Sequence, residues 1–150
     1  MEIVAVNMYN DILLSLKQGN GVNGKSIAKP ILLLSIMEAV SEEKLKDNQI
    51  LCDDNNIKDY FARLMSGYGE QSKTPLSVPF YHLASSSFYH LIWKNKDRPP
   101  FSGHSPSAKY LREHLLYAKL DNELWDLLQD AESREYLKRN IIKRYLTKQD

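Results

Sequence analysis

Along much of this chain, apolar side chains recur three and four residues apart, the spacing of a helix with one buried face. Tyr9, Ile12, Leu13 and Leu16 predict a first helix over about 7–17. The run "QGNGVNGKS" ends it, because its glycines and asparagines make continued helix costly. A second helix begins near Pro30, whose missing N–H would have no intrahelical partner in a first turn. The segment "PILLLSIMEAV" is apolar on nearly every side, which puts this helix at the centre of the core. Ile57, Tyr60, Phe61, Leu64 and Met65 give a third, with Asp53, Asp54 or Asn55 as its cap and Gly67 at its end.

The period then changes. "SVPFYHLASSSFYHLIWK" holds two short aromatic and β-branched stretches, at about 78–83 and 88–93, and predicts a β-hairpin over 78–93. Pro79 would have to sit at an edge or at the start of its strand. The basic segment "KNKDRPPFSGHSPS" reads as a loop, and three closing helices follow at about 107–118, 121–129 and 131–146. Asp121 and Asp130 are their candidate caps. The expected fold is α+β and mainly helical: a helical bundle with a small antiparallel β-hairpin, an order compatible with a winged-helix-like arrangement.

Composition narrows the class. With 150 residues, 43% of them hydrophobic and 26% charged, the chain is expected to be one globular domain spanning 1–150. A single cysteine excludes an internal disulfide framework and a cysteine-rich zinc module. No run approaches a membrane span and no leader precedes the first helix, so the expectation is a reduced, cytoplasmic protein that does not meet the membrane. The net charge of +1 hides an uneven distribution. Residues 38–70 carry eight carboxylates against four cations, whereas 94–119 carry six cations against two carboxylates. A basic face suited to phosphates is therefore possible despite the neutral total.

Enzymatic chemistry finds little support. His82, His90, His104 and His114 are the obvious candidates, and His82 and His90 would be cross-strand neighbours in the expected hairpin. Neither has companion ligands at metal spacing, and Cys52 lies in a separate acidic turn, so no metal or cofactor is expected. "GNGVNGK" lacks the spacing of a phosphate-binding loop, and no other nucleotide, protease or hydrolase motif is present. What stands out is the interleaving of Phe80, Tyr81, His82, Phe88, Tyr89, His90 and Trp93 with the basic loop that follows. Half of those aromatics should face the core. The rest could stack or make apolar contacts beside phosphate-binding groups.

An ordered set of short motifs is more specific. "KP" followed by "ILLL" at Lys29–Leu34, "YG" at Tyr68–Gly69, "VPFYHL" at Val78–Leu83 and "FYHL" at Phe88–Leu91 resembles the N-terminal DNA-binding domains of McrA-like HNH restriction endonucleases. These include sulfur-binding domains that read phosphorothioate-modified DNA. The closing stretch from Tyr110 through "LWDLLQD" to "LKRNIIKRYL" is similar too, so the resemblance covers most of 9–146. It implies a domain that binds double-stranded DNA, with a backbone sulfur received in a shallow apolar pocket. Pro79 matches the pocket proline, with Val78, Tyr81 and His82 as further pocket candidates, and Lys29 matches the family's lysine. Lys25, Lys29, Lys94, Lys96, Arg98, Lys109 and Arg112 are the candidate DNA contacts. Two positions depart from the family pattern: Ala28 replaces a common histidine, and Val78 replaces an aromatic residue. His82 is also bulkier than the small side chain expected there.

The implied function is the specificity module of a restriction or defence protein, not an enzyme in its own right. No HNH motif occurs in the 150 residues, so cleavage would fall to an HNH nuclease domain or a partner protein. Two other classes stay open on the residues alone. One is a protein-interaction or scaffold domain using the aromatic hairpin; the other, with less support, is a metal-dependent nuclease.

Overall fold

The computed structural model describes residues 2–21, 24–69, 74–95 and 105–147. Helix α1 (Ile3–Leu13) is followed by two short paired strands, β1 (Asn20–Gly21) and β2 (Gly24–Lys25). Helix α2 (Ala28–Ser41) then runs through the centre of the molecule. Eleven of its 14 residues are buried, as its all-round apolar pattern requires. Its one buried hydroxyl, on Ser35, donates to the Ile31 carbonyl and so leaves no orphaned polar group.

Helix α3 (Asn55–Gly67) starts where Asp54 accepts a hydrogen bond from the Ile57 N–H at 3.0 Å. It buries Ile57, Tyr60, Phe61 and Met65, the stripe expected from their spacing, and packs along α2. The "YG" motif closes it: Gly69 takes φ 78°, a left-handed conformation that glycine adopts without strain.

The hairpin expected over 78–93 is not formed. Its first half is helix α4 (Ser77–His82), continued by a 3₁₀ turn at Leu83–Ser85. Pro79 is the third residue of α4, inside the first turn, where helical N–H groups have no partner in any case. Burial follows a helical step rather than alternation, with Pro79, Phe80 and Leu83 turned inward. The second half is strand β3 (Tyr89–Trp93), whose antiparallel partner is β4 (Leu115–Leu120), more than twenty residues away. His82 and His90 are therefore not cross-strand neighbours, and no wing stands at 78–93. Among the described residues, the locally paired antiparallel strands are β1 and β2.

β4 also replaces the second half of the helix expected over 107–118. Helix α5 (Ala108–His114) ends at Leu115, where the backbone becomes extended. Leu111, Leu115 and Ala118 are all buried, as the helical spacing predicted, but the last two are inward positions of a strand. Tyr117 pairs with Ile92 and Leu115 with Trp93, so Leu116 is an extra residue in a β-bulge and points outward. On the other edge of β4, Ile50 exchanges two 2.8 Å backbone bonds with Ala118. The Asn48 amide likewise bonds both backbone groups of Leu120.

Helices α6 (Asn122–Gln129) and α7 (Ala131–Ile141) follow as expected, and a π-helical turn over 142–146 continues α7. Asp130 caps α7 by accepting from the Ser133 N–H and hydroxyl. Asp121 does not cap α6. Its carboxylate instead joins three elements: Tyr9 donates to Oδ2 at 2.8 Å, and His90 Nε2 lies 2.6 Å from Oδ1. Burial pushes this carboxyl upward, but the bonds from His90 and Tyr9 outweigh it and hold it below the usual carboxylate value. A depressed carboxyl adds stability above its unfolded value of roughly 4 and loses it as pH falls through the folded value. Asp121→Asn is therefore expected to unfold at lower urea than the parent at neutral pH, with the difference shrinking towards pH 2. Urea midpoints across that range measure it.

Candidate nucleic-acid interface

Four of the residues nominated by sequence meet in one cleft of about 550 Å³. Lys29 comes from the first turn of α2, and Val78, Pro79 and His82 come from α4, which packs against α2. Val78 and Pro79 give the cleft an apolar wall. His82 gives it a polar end, its Nε2 lying 2.7 Å from the Ser105 hydroxyl. Phe80 anchors this wall from behind: its ring is fully buried, and its carbonyl accepts the Tyr89 hydroxyl at 2.6 Å. Tyr81 does not line the cleft. It packs partly against the core, its ring edge-on to His82 at 5.1 Å.

Lys29 is held in place. Its Nζ donates to the Lys17 carbonyl at 2.6 Å and to the Ser85 hydroxyl at 3.2 Å. Partial burial, and secondarily the nearby Lys17 charge, push its ammonium below the ordinary lysine value. The charge of an anion entering the cleft would oppose both effects by favouring the protonated ammonium. The arrangement suits a group that is negative on one side and weakly hydrated on the other, since an apolar wall penalises a strongly solvated oxygen.

The other cations are distributed differently. Lys25 is exposed in β2. Lys94 and Arg112 line a separate cleft of about 280 Å³ with Cys52 and Asp53. Lys109 is exposed on α5, 4.0 Å from Glu113. Lys96 and Arg98 lie outside the described residues. The aromatic surface expected from the hairpin is largely interior: Phe80, Phe88 and Tyr89 are buried. Among the described residues, no group of three or more His, Cys, Asp or Glu side chains could hold a metal. None of the described helices is long and apolar enough to cross a membrane.

The family model described as "ScoMcrA-like, DNA sulfur-binding domain" matches residues 10–150. The chain belongs to this family. No curated protein matches it. Among solved structures, the fold is shared with the sulfur-binding domain of ScoMcrA complexed with phosphorothioated DNA. That comparison has a TM-score of 0.68 at 18% identity and covers 91% of this chain and 86% of that one. A two-domain structure, the sulfur-binding and SRA domains of ScoMcrA with phosphorothioated DNA, gives 0.69 at 19% identity. The type IV phosphorothioation-dependent restriction endonuclease ScoMcrA gives 0.65 at 20%. This chain covers 91% of itself in both comparisons, but spans 42% and 25% of those longer chains.

Within this sulfur-binding domain, the cleft also contains residues that sequence reasoning missed. Gly19, Ser26, Thr74 and Ser105 line it beside the four nominated side chains, as does Ala28, the position that departs from the family pattern. Ser26 is built in from two directions, its N–H donating to the Gly19 carbonyl and its hydroxyl accepting from the Ala28 N–H. The segment "GNGVNGK" lacks the spacing of a phosphate-binding loop, yet its first glycine and the Ser26 that follows it both reach the cleft. Its signal was the turn chemistry itself: closely spaced glycines and asparagines just before a helix that starts with Lys-Pro.

Proposed function

We propose that this chain is the DNA-reading module of a restriction or defence system, acting in the cytoplasm. It binds duplex DNA and selects a phosphorothioate in the cleft between α2 and α4. The observation that carries this reading is that Lys29 lines one cleft with Val78 and Pro79, in a chain of the sulfur-binding family. Sulfur is larger, more polarisable and less strongly hydrated than oxygen, so it loses less on leaving water for that wall. The neighbouring negative charge is met by Lys29, and Lys25, exposed one residue before Ser26 of the cleft lining, adds a second cation for the DNA. His82, bonded to Ser105, also lines the cleft.

The chain's task in this reading is recognition. Cleavage belongs to an HNH nuclease domain or a partner protein working with it. Val78→Ser and Pro79→Ser separate recognition from general attraction, because both keep every cation. Each is expected to bring affinities for phosphorothioate and ordinary duplexes close to parity while leaving binding of ordinary DNA nearly unchanged. Equal losses on both duplexes would mean that the wall supports the fold and does not select sulfur.

A further inference from the structure

Lys29 stands at the boundary between two clefts. Beyond it, a second cleft of about 360 Å³ opens between the C-terminal end of α1 and the loop after the 3₁₀ turn. Its floor carries three consecutive hydroxyls, Ser85, Ser86 and Ser87, together with Lys17, and its α1 side carries Asp11 and Ser15. The two clefts share the Lys29 tether, since Nζ reaches both the Lys17 carbonyl and the Ser85 hydroxyl. The first sets Val78 and Pro79 beside Lys29; the second has Ile12 in its wall and adds three hydroxyls and an exposed ammonium. A fully oxygenated phosphate needs donors to replace its water, and serine and lysine side chains supply them while fixing register along the strand.

Resting on the reading above, we infer that Lys17 and Ser85–Ser87 form a shelf for the ordinary phosphate adjacent to the phosphorothioate on the same strand, with Lys29 between the two. Asp11 repels an anion from the α1 side, so the phosphate is confined to the serine side. The shelf fixes register and adds affinity without choosing between sulfur and oxygen. Its loss should therefore lower binding and the salt dependence while leaving the sulfur preference intact.

Duplexes carrying one phosphorothioate and a neutral methylphosphonate on its immediate 5′ or 3′ side test this. Wild-type protein should lose about tenfold in affinity for one of the two, as expected for a lost charge-assisted contact. A Lys17→Ala, Ser87→Ala double variant should show little of that penalty and an unchanged sulfur-to-oxygen ratio. Its salt slope on the unsubstituted phosphorothioate duplex should fall by about 0.9. Both substituted side chains are exposed, and Lys17 holds Lys29 through its backbone carbonyl, so the tether survives. Wild-type protein that prefers sulfur but ignores both methylphosphonates would overturn the shelf. A penalty that persists undiminished in the double variant would also overturn it. Wild-type protein with no sulfur preference would instead overturn the reading on which the shelf rests.

Discussion

Lys29→Ala is expected to weaken binding to phosphorothioate duplex by roughly 10- to 100-fold, the range for losing hydrogen bonds to a charged group. Three features put the effect at this single lysine. It lines the cleft with Val78 and Pro79, its ammonium is tethered by the Lys17 carbonyl and Ser85 hydroxyl, and it is already partly desolvated. A lysine restrained in this way loses less side-chain freedom on meeting a phosphate than a free one. Ordinary duplex should lose affinity by a similar factor, and the salt slope should fall by about 0.9, one phosphate's worth of released counterion. Thermal stability should change little, because the ammonium's partners are themselves at the surface. Fluorescence anisotropy at three salt concentrations reads all of this. Undiminished affinity would place the phosphate contacts elsewhere, with Lys94 and Arg112 the next pair to substitute.

Phe80→Ala is expected to be the most damaging substitution to the fold near the cleft, at about 3–5 kcal/mol. Its ring has no exposed surface and meets Tyr89 edge-on with centroids 6.1 Å apart. The Tyr89 hydroxyl, itself wholly buried, depends on the Phe80 carbonyl for its partner. A cavity here would loosen α4 from β3 and let the Val78–Pro79 wall shift. For a domain of this size the melting temperature should fall by roughly 10 °C or more. Sulfur preference should be lost along with it. Tyr89→Phe, which keeps the packing and removes only the hydroxyl, should cost about 1 kcal/mol. Calorimetry on the two variants separates packing from the hydrogen bond; a melting temperature unmoved by Phe80→Ala would contradict this placement of the core.

The helices that pack a regular stripe were legible in the sequence. The α3 stripe, the Asp130 cap and the all-apolar α2 appear where their spacing placed them, and Asp54 is the one of three candidate caps that α3 uses, because local pattern and tertiary burial agree there. The errors share a cause. In "SVPFYHL", aromatic and β-branched residues favour extended structure, but Pro79 fits a first helical turn and burial against α2 decides the outcome. In "LREHLLYAKL", Leu111, Leu115 and Ala118 match a helix, yet the chain switches to a strand at Leu115 because β3 and Ile50 offer β4 partners on both edges. Those partners are distant in sequence and leave no local trace. The cleft was legible in part for the same reason. Lys29 and the Val78–Pro79–His82 group sit in recognisable motifs, whereas Ser26, Thr74 and Ser105 are small polar residues outside the helices and strands, without periodicity. Asp121 shows the converse. Its position suggested a cap, but Tyr9 and His90, each remote in sequence, take its carboxylate.

The central claim is that one cleft distinguishes sulfur from oxygen on the DNA backbone. Titrating wild-type protein with two duplexes that differ by a single non-bridging sulfur, at several salt concentrations, tests it most directly. The account predicts salt-dependent binding to both, with the phosphorothioate duplex bound more tightly at every salt concentration and the ratio between them nearly independent of salt. Equal affinity for the two duplexes across the series would contradict it.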